Sequence, residues 1–205
     1  MMESDEYRTI KASSSGIFKD RGSKFIAHAC RVGSAEEAKR IIEEVKKDYR
    51  DARHHCYAYK IGTEDDNWRV NDDGEPSGTA GRPILGQISS FELSNVLIVV
   101  VRYFGGTLLG AGGLINAYRN AARNALENSI IITEHLKVKI HISFPYEAMN
   151  AVMKIIKDEN PEQSNQVFEN SCSLDLCFRK SDKDRLIGRL SIIEGITIND
   201  LPSLD

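Results

Sequence analysis

The sequence predicts an α+β protein of two domains, residues 1–131 and 135–205. Two observations carry this. The first is a solid apolar run, Val96-Leu97-Ile98-Val99-Val100-Val101, that leads into the segment Arg102–Leu114, which holds five of the fifteen glycines, and on into a helical pattern from Ile115 to Leu126. A run of β-branched residues without alternation is the mark of a strand covered on both faces. The second is a fresh series of elements after a boundary at Glu127–Thr133. From Leu136 onward the chain scans as strand, helix, strand, strand, helix, strand, the ferredoxin-like order.

In order along the chain, residues 1–15 are polar and expected to be loose. Gly16-Ile17-Phe18 begins a strand, Asp20–Ser23 turns, and Lys24–Val32 returns, with Phe25, Ala27 and Ala29 on one face and Ile26, His28 and Cys30 on the other. Ser34 is an N-cap and Glu37, three residues on, completes a capping box. Ala38, Ile41, Ile42, Val45 and Tyr49 follow at helical spacing. Arg53–Ile61 is a strand with His55, Tyr57 and Tyr59 on one face and His54, Cys56 and Ala58 on the other. Gly62–Asn67 turns, and Trp68-Arg69-Val70 is a short strand. Asn71–Pro83, with three glycines, two prolines and three carboxylates, is a rigid irregular loop. Ile84–Phe91 is a short helix.

In the second half, Leu136–Phe144 is a strand with Val138, Ile140, Ile142 and Phe144 alternating, and Tyr146–Lys157 is a helix opened by Pro145. Gln166–Phe168 and Cys172–Phe178 are strands, Ser181 caps a helix to Ile193, and Ile196–Ile198 is the last strand.

Composition excludes some functions. The chain has 205 residues, 41% hydrophobic and 28% charged, with a net charge of −3. That charge argues against coating nucleic acid by bulk attraction. Residues 134–205 hold nine basic and twelve acidic residues and so carry the whole excess. No apolar run reaches membrane-span length and the first residues lack a signal-peptide pattern, so a cytoplasmic protein is expected. The cysteines, at 30, 56, 172 and 177, have neither disulfide-framework nor zinc spacing. Neither a metal nor a cofactor is expected.

The glycine segment is the candidate site. Glycine is needed where the backbone takes positive φ or approaches another group closely. A helix start behind such a loop presents free N–H groups and the positive end of the helix dipole, which suit an anion. The segment is neither a Walker loop nor a dinucleotide fingerprint. The expected anion or nucleic-acid ligands are Arg102, Gly105, Gly106, Gly110, Gly112 and Gly113. Arg82, Ser77 and Thr79 of the preceding loop are expected to lie beside them and form one groove. Arg119 and Arg123 form a basic pair on the exit helix, and Tyr57 and Tyr59 offer stacking surfaces. Asp72, Asp73 and Glu75 suit a hard cation on paper, but Asp-Asp-Gly is also ordinary turn chemistry, the favoured explanation. His54 with Cys56 offers a metal pair or a nucleophile with its base, although no orienting group is identifiable.

These residues also resemble a known family. Arg21–Ala27, His54–Tyr59, Asp72–Gly81, Val99–Gly106 and Leu109–Leu114 with Ala117-Tyr118 resemble the Impact/YigZ family over about the first 130 residues. The resemblance implies a first domain folded like the second domain of a small-subunit ribosomal protein and domain IV of elongation factor G. It implies a second domain like domain V of that factor. The eukaryotic relative acts on translation through a kinase-activator pathway and an additional N-terminal module, a role not carried over to this chain. For bacterial members the resemblance suggests RNA or ribosome binding without an established reaction. Bacterial members often carry a basic residue where this chain has Asn116, which leaves its helix less positive.

Three functions stand at this point. The first is a translation-linked regulator that binds RNA or the ribosome through the glycine-lined groove. The second is an enzyme acting on a phosphorylated or acidic small molecule there, although no catalytic residue is identified. The third is an adaptor with a protein partner.

Overall fold

A computed structural model describes residues 5–63, 67–169 and 171–202. Part of the Gly62–Asn67 turn lies outside the described residues. The chain forms two compact units, Tyr7–Glu134, and Met1–Glu6 with His135–Asp205.

The larger unit is built on a five-stranded antiparallel sheet. Its strands are β2 (Ser14–Asp20), β3 (Ser23–Arg31), β4 (His54–Lys60), β5 (Trp68–Asn71) and β6 (Val96–Tyr103), in the order β2-β3-β6-β4-β5. β6 is central, and helices cover both its faces. Val96, Ile98 and Val100 pack with Phe25, Ala27, Cys56 and Ala58 beneath α2 (Gly81–Ser90) and α3 (Gly110–Glu127). Leu97, Val99 and Val101 pack with Ile26 and Tyr59 beneath α1 (Ala35–Asp48). Two covered faces explain the unbroken apolar run. The alternation expected of the flanking strands is also observed.

α1 begins as expected. Ser34 Oγ accepts from Glu37 N–H at 3.1 Å. The Glu37 carboxylate reaches back one residue further than a standard capping box, to Gly33 N–H at 2.8 Å. α2 begins at Gly81, three residues before the expected start, because Asp72 anchors its first turn. α3 lies close on β2, where a Cβ on Gly16 would stand 2.3 Å from Ala125 N.

Two expectations need correction. Glu6–Ile10 is not loose but forms β1, paired with β7 (Ile131–His135) in the stretch read as a boundary. Ile10 of this strand joins the core with Ile131 of β7, but five residues with a single aliphatic side chain give no strand pattern in the sequence.

The smaller unit has β8 (Lys137–Pro145), α4 (Met149–Glu159), β9 (Glu162–Phe168), β10 (Ser171–Arg179), α5 (Lys183–Leu190) and β11 (Thr197–Leu201). The sheet order is β11-β8-β10-β9, antiparallel throughout, the topology of the ferredoxin-like order. A 3₁₀ turn precedes each helix, at Tyr146–Ala148 and Lys180–Asp182. Ser181 therefore lies inside a 3₁₀ turn rather than capping α5, whose start has no side-chain cap among the described residues. Ile140, Ile142, Phe144, Leu174 and Leu176 form the core against α4 and α5.

Candidate functional site

The site lies in the larger unit, where the loop between β5 and α2 meets the segment between β6 and α3. The loop is folded around one carboxylate. Asp72 accepts the N–H groups of Gly78 (2.8 Å), Ala80 (3.0 Å) and Gly81 (2.8 Å). Burial pushes the Asp72 carboxyl up, but those three donors and nearby Arg82 outweigh it and leave it below the ordinary carboxylate range. Asp73 accepts His55 N–H at 2.7 Å, and its own N–H donates to Asn71 Oδ1 at 2.7 Å. Asp72 and Asp73 are thus spent on backbone groups, as turn chemistry requires.

Held this way, the loop directs Glu75 inward. Glu75 Oε1 accepts from Arg102 Nη1 at 2.6 Å and from the Tyr118 hydroxyl at 2.8 Å. Both side chains of the ion pair are almost wholly buried, Arg102 at 7% and Glu75 at 4% exposure. The guanidinium lies over two rings, 5.4 Å from the centre of Phe25 and 5.7 Å from that of Phe104. Phe25 in turn meets Tyr118 edge-on, 5.1 Å between ring centres. Burial first, then Cys56 and Glu75, pushes the Tyr118 phenol far above its ordinary range, so it stays a proton donor.

Cys56 Sγ lies 3.0 Å from Asp72 O and 3.2 Å from the Tyr118 hydroxyl, and its single hydrogen serves one of them. Burial pushes the thiol well up, the reverse of what a nucleophile needs. His54 Nδ1 is bonded to Asp73 O at 2.8 Å. Cys56 and His54 are therefore tied to the loop backbone.

Above the ion pair opens a cavity of about 490 Å³. Arg102 and Glu75 form part of its floor, and Phe104, Leu108, Leu109 and Leu114 give it apolar walls. Gly110 and Ala111, the first residues of α3, and Arg53 line it as exposed residues and so mark its mouth, with the half-buried His54 among the lining. Among the described residues, no side chain caps the start of α3. The helix is entered through Gly110 at φ +70°, and a Cβ on Gly110 or Gly112 would meet nothing within 4 Å.

The structure gathers some of the predicted residues and separates others. Arg102 and Gly110 line the cavity. Gly112 and Gly113 lie in the first turn of α3 just behind it. Gly113 packs on Leu109, 2.9 Å from where its Cβ would be. Gly105 is a packing residue, because a Cβ there would stand 1.9 Å from Gly22 C, and its N–H donates to Ser23 Oγ at 3.1 Å. Gly106, at φ +84°, turns the chain. Thr79 is buried, its hydroxyl donating to Pro76 O at 2.6 Å, while Ser77 and Arg82 are exposed beside the loop and outside the cavity. Arg119 and Arg123 lie on the exposed face of α3, where Arg123 pairs with Glu127 at 2.7 Å.

Tyr57 and Tyr59 require a correction. Their rings are parallel, 6.5 Å apart, but they pack in the α1 layer on the opposite face of the sheet. Tyr59 is 8% exposed. Neither belongs to the groove. The residues missed in the sequence are Glu75 as the partner of Arg102, Tyr118, and the exposed Phe104 and Leu108. One signal was present: a tyrosine on the alanine-rich buried face of α3 needs a polar partner for its hydroxyl.

Among the described residues, no helix is long and apolar enough to cross a membrane. Comparison with known proteins agrees with the motifs. Residues 21–126 match the Impact N-terminal domain. The chain is 38% identical over 152 residues to the IMPACT family member YvyE of Bacillus subtilis, covering 74% of this chain and 70% of that protein. It is 44% identical over 106 residues to the IMPACT family member YigZ of Escherichia coli, 51% of this chain and about half (52%) of that one. A crystal structure described as that of a hypothetical protein superposes with a TM-score of 0.75 at 26% identity, over 97% of this chain and 98% of the other. The motifs around the cavity, the matched domain and the relatives together place this chain in the Impact family.

Proposed function

We propose that this protein is a translation-linked regulator that binds RNA or the ribosome through the groove at the start of α3. The observation that supports this most is the uncapped N-terminus of an 18-residue helix opening onto a cavity. Its first-turn N–H groups and dipole favour a phosphate. Arg53 adds a positive charge at the same mouth, and Phe104, 50% exposed, adds an aromatic surface. Arg102 takes a different part from the one expected of it. Its charge is neutralised by Glu75, so the phosphate belongs at the mouth and not on the floor. The carboxylates that an enzyme would draw on are held by backbone groups or by Arg102, so the geometry favours binding over turnover.

The test is binding of labelled single-stranded RNA and of ribosomes at 50 and 200 mM salt. Each phosphate contact on a single strand contributes about −0.7 to the slope of log affinity against log salt. A slope of about −1 to −3, from a few contacts, is expected. Absence of binding to either, or binding indifferent to salt, overturns the proposal.

A further inference from the structure

The geometry points to one unpaired nucleotide as the occupant of this cavity, with its base inward and its phosphate at the mouth. This inference rests on the RNA-binding function proposed for the same groove.

Charge is unevenly distributed over the cavity. The floor is an ion pair and carries no net charge, whereas the positive features, the α3 start and Arg53, are at the rim. An anion is therefore drawn to the rim and an uncharged group to the interior. The floor also has open valences. Of the guanidinium only Nη1 is hydrogen-bonded, and of the carboxylate only Oε1, among the described residues. Arg102 Nε is also buried without a partner among the described residues, in a residue 6% exposed that lines the cavity. Buried polar groups are normally satisfied, so the free Nη2 and Oε2 of this pair, in side chains that line the cavity, mark a place where a ligand completes the set. A nucleobase edge offers a donor beside an acceptor, which matches a carboxylate beside a guanidinium.

The walls suit a flat, apolar ring. Phe104 is half exposed on the Arg102 guanidinium, and Leu108 is 81% exposed. A flat ring covers such surfaces and stacks on the aromatic one. The volume, about 490 Å³, lies within the usual range for small-ligand sites. A sugar phosphate lacks the flat surface, and inorganic phosphate leaves both floor and walls uncovered. A base in a duplex has its edge already engaged, so the cavity selects single strands.

The test uses fluorescence anisotropy with the full chain and three probes of equal length: a short single-stranded RNA, the same backbone without bases, which has the same charge, and the RNA annealed to its complement, which has twice that charge. Ribose 5-phosphate and a nucleoside monophosphate serve as competitors. The intact single strand is expected to bind at least about tenfold more tightly than either other probe, and the nucleoside monophosphate to compete far better than ribose 5-phosphate. Phe104→Ala, at an exposed position, is expected to remove about tenfold for the single strand and leave the base-free backbone unchanged. Equal binding of the base-free or duplex probe overturns the nucleotide inference while leaving RNA binding intact. No binding of any probe overturns both.

Discussion

Arg102 and Glu75, twenty-seven residues apart in sequence, meet at 2.6 Å under the cavity with almost no exposure to solvent. This contact joins the central strand to the loop before α2 and fixes where the net charge of the groove lies. Removing one partner strands the other as a buried charge. Arg102→Met alone, or Glu75→Leu alone, is expected to lower unfolding stability by about 3–5 kcal/mol. Replacing both together, Arg102→Met with Glu75→Leu, is expected to recover most of that loss, because an apolar pair of similar volume has no desolvation cost. Urea unfolding of the four proteins of the cycle measures it; additive losses would show that the two side chains do not act as a pair.

The glycines divide by what surrounds them. Gly105→Ala forces a Cβ into the backbone of Gly22 and Ser23 and is expected to cost about 3 kcal/mol or more. Gly112 has open space around its Cβ position and sits in the first turn of α3, so Gly112→Ala is expected to stabilise by up to about 1 kcal/mol. Thermal unfolding of the two variants decides the point, and equal effects would contradict it.

The smaller unit has an acid-sensitive carboxylate. Asp175 accepts from His141 Nδ1 at 2.7 Å, from Asn165 at 2.8 Å and from Lys139 Nζ at 3.1 Å. These partners, His141 foremost, hold its carboxyl down to about 2, against an ordinary 3.8. A depressed carboxyl stabilises the fold above its unfolded value and loses that contribution as pH falls through its folded value. Stability of this unit is expected to fall between about pH 4 and pH 2, and Asp175→Asn is expected to flatten that limb. Acid titration followed by circular dichroism tests it; an unchanged limb in the variant would count against this assignment.

Cys56 is expected to resist thiol reagents in the folded protein, since it is buried and its thiol is pushed up. Cys30 and Cys177, both partly exposed, are expected to react first. Timed labelling with mass readout distinguishes them, and rapid modification of Cys56 would revive its candidacy as a nucleophile.

Much of the fold was legible because it is carried by local pattern. The alternation in β3, β4 and β8 and the Ser34/Glu37 start of α1 are local signals, and each is found in the structure. Period two placed Tyr57 with Tyr59 but did not say which layer they face, and they turned out to face α1. The glycines were legible as a cluster, not by role, because Gly105 is required by the distant Gly22 turn. The Arg102–Glu75 pair was hidden for a related reason. Glu75 points inward only because Asp72 gathers three backbone N–H groups, a loop conformation that no short sequence period encodes.

The most direct test of the groove is Ala111→Glu. Ala111 is exposed, lies in the first turn of α3 and lines the mouth of the cavity. A carboxylate there suits the helix dipole, worth about 0.3–1 kcal/mol, so the variant is expected to fold with equal or higher stability. The same carboxylate occupies and repels the place assigned to phosphate. Single-stranded RNA binding measured by anisotropy at low salt is expected to fall at least about tenfold while thermal stability holds. Unchanged RNA affinity in this folded variant would contradict an anion site at the start of α3.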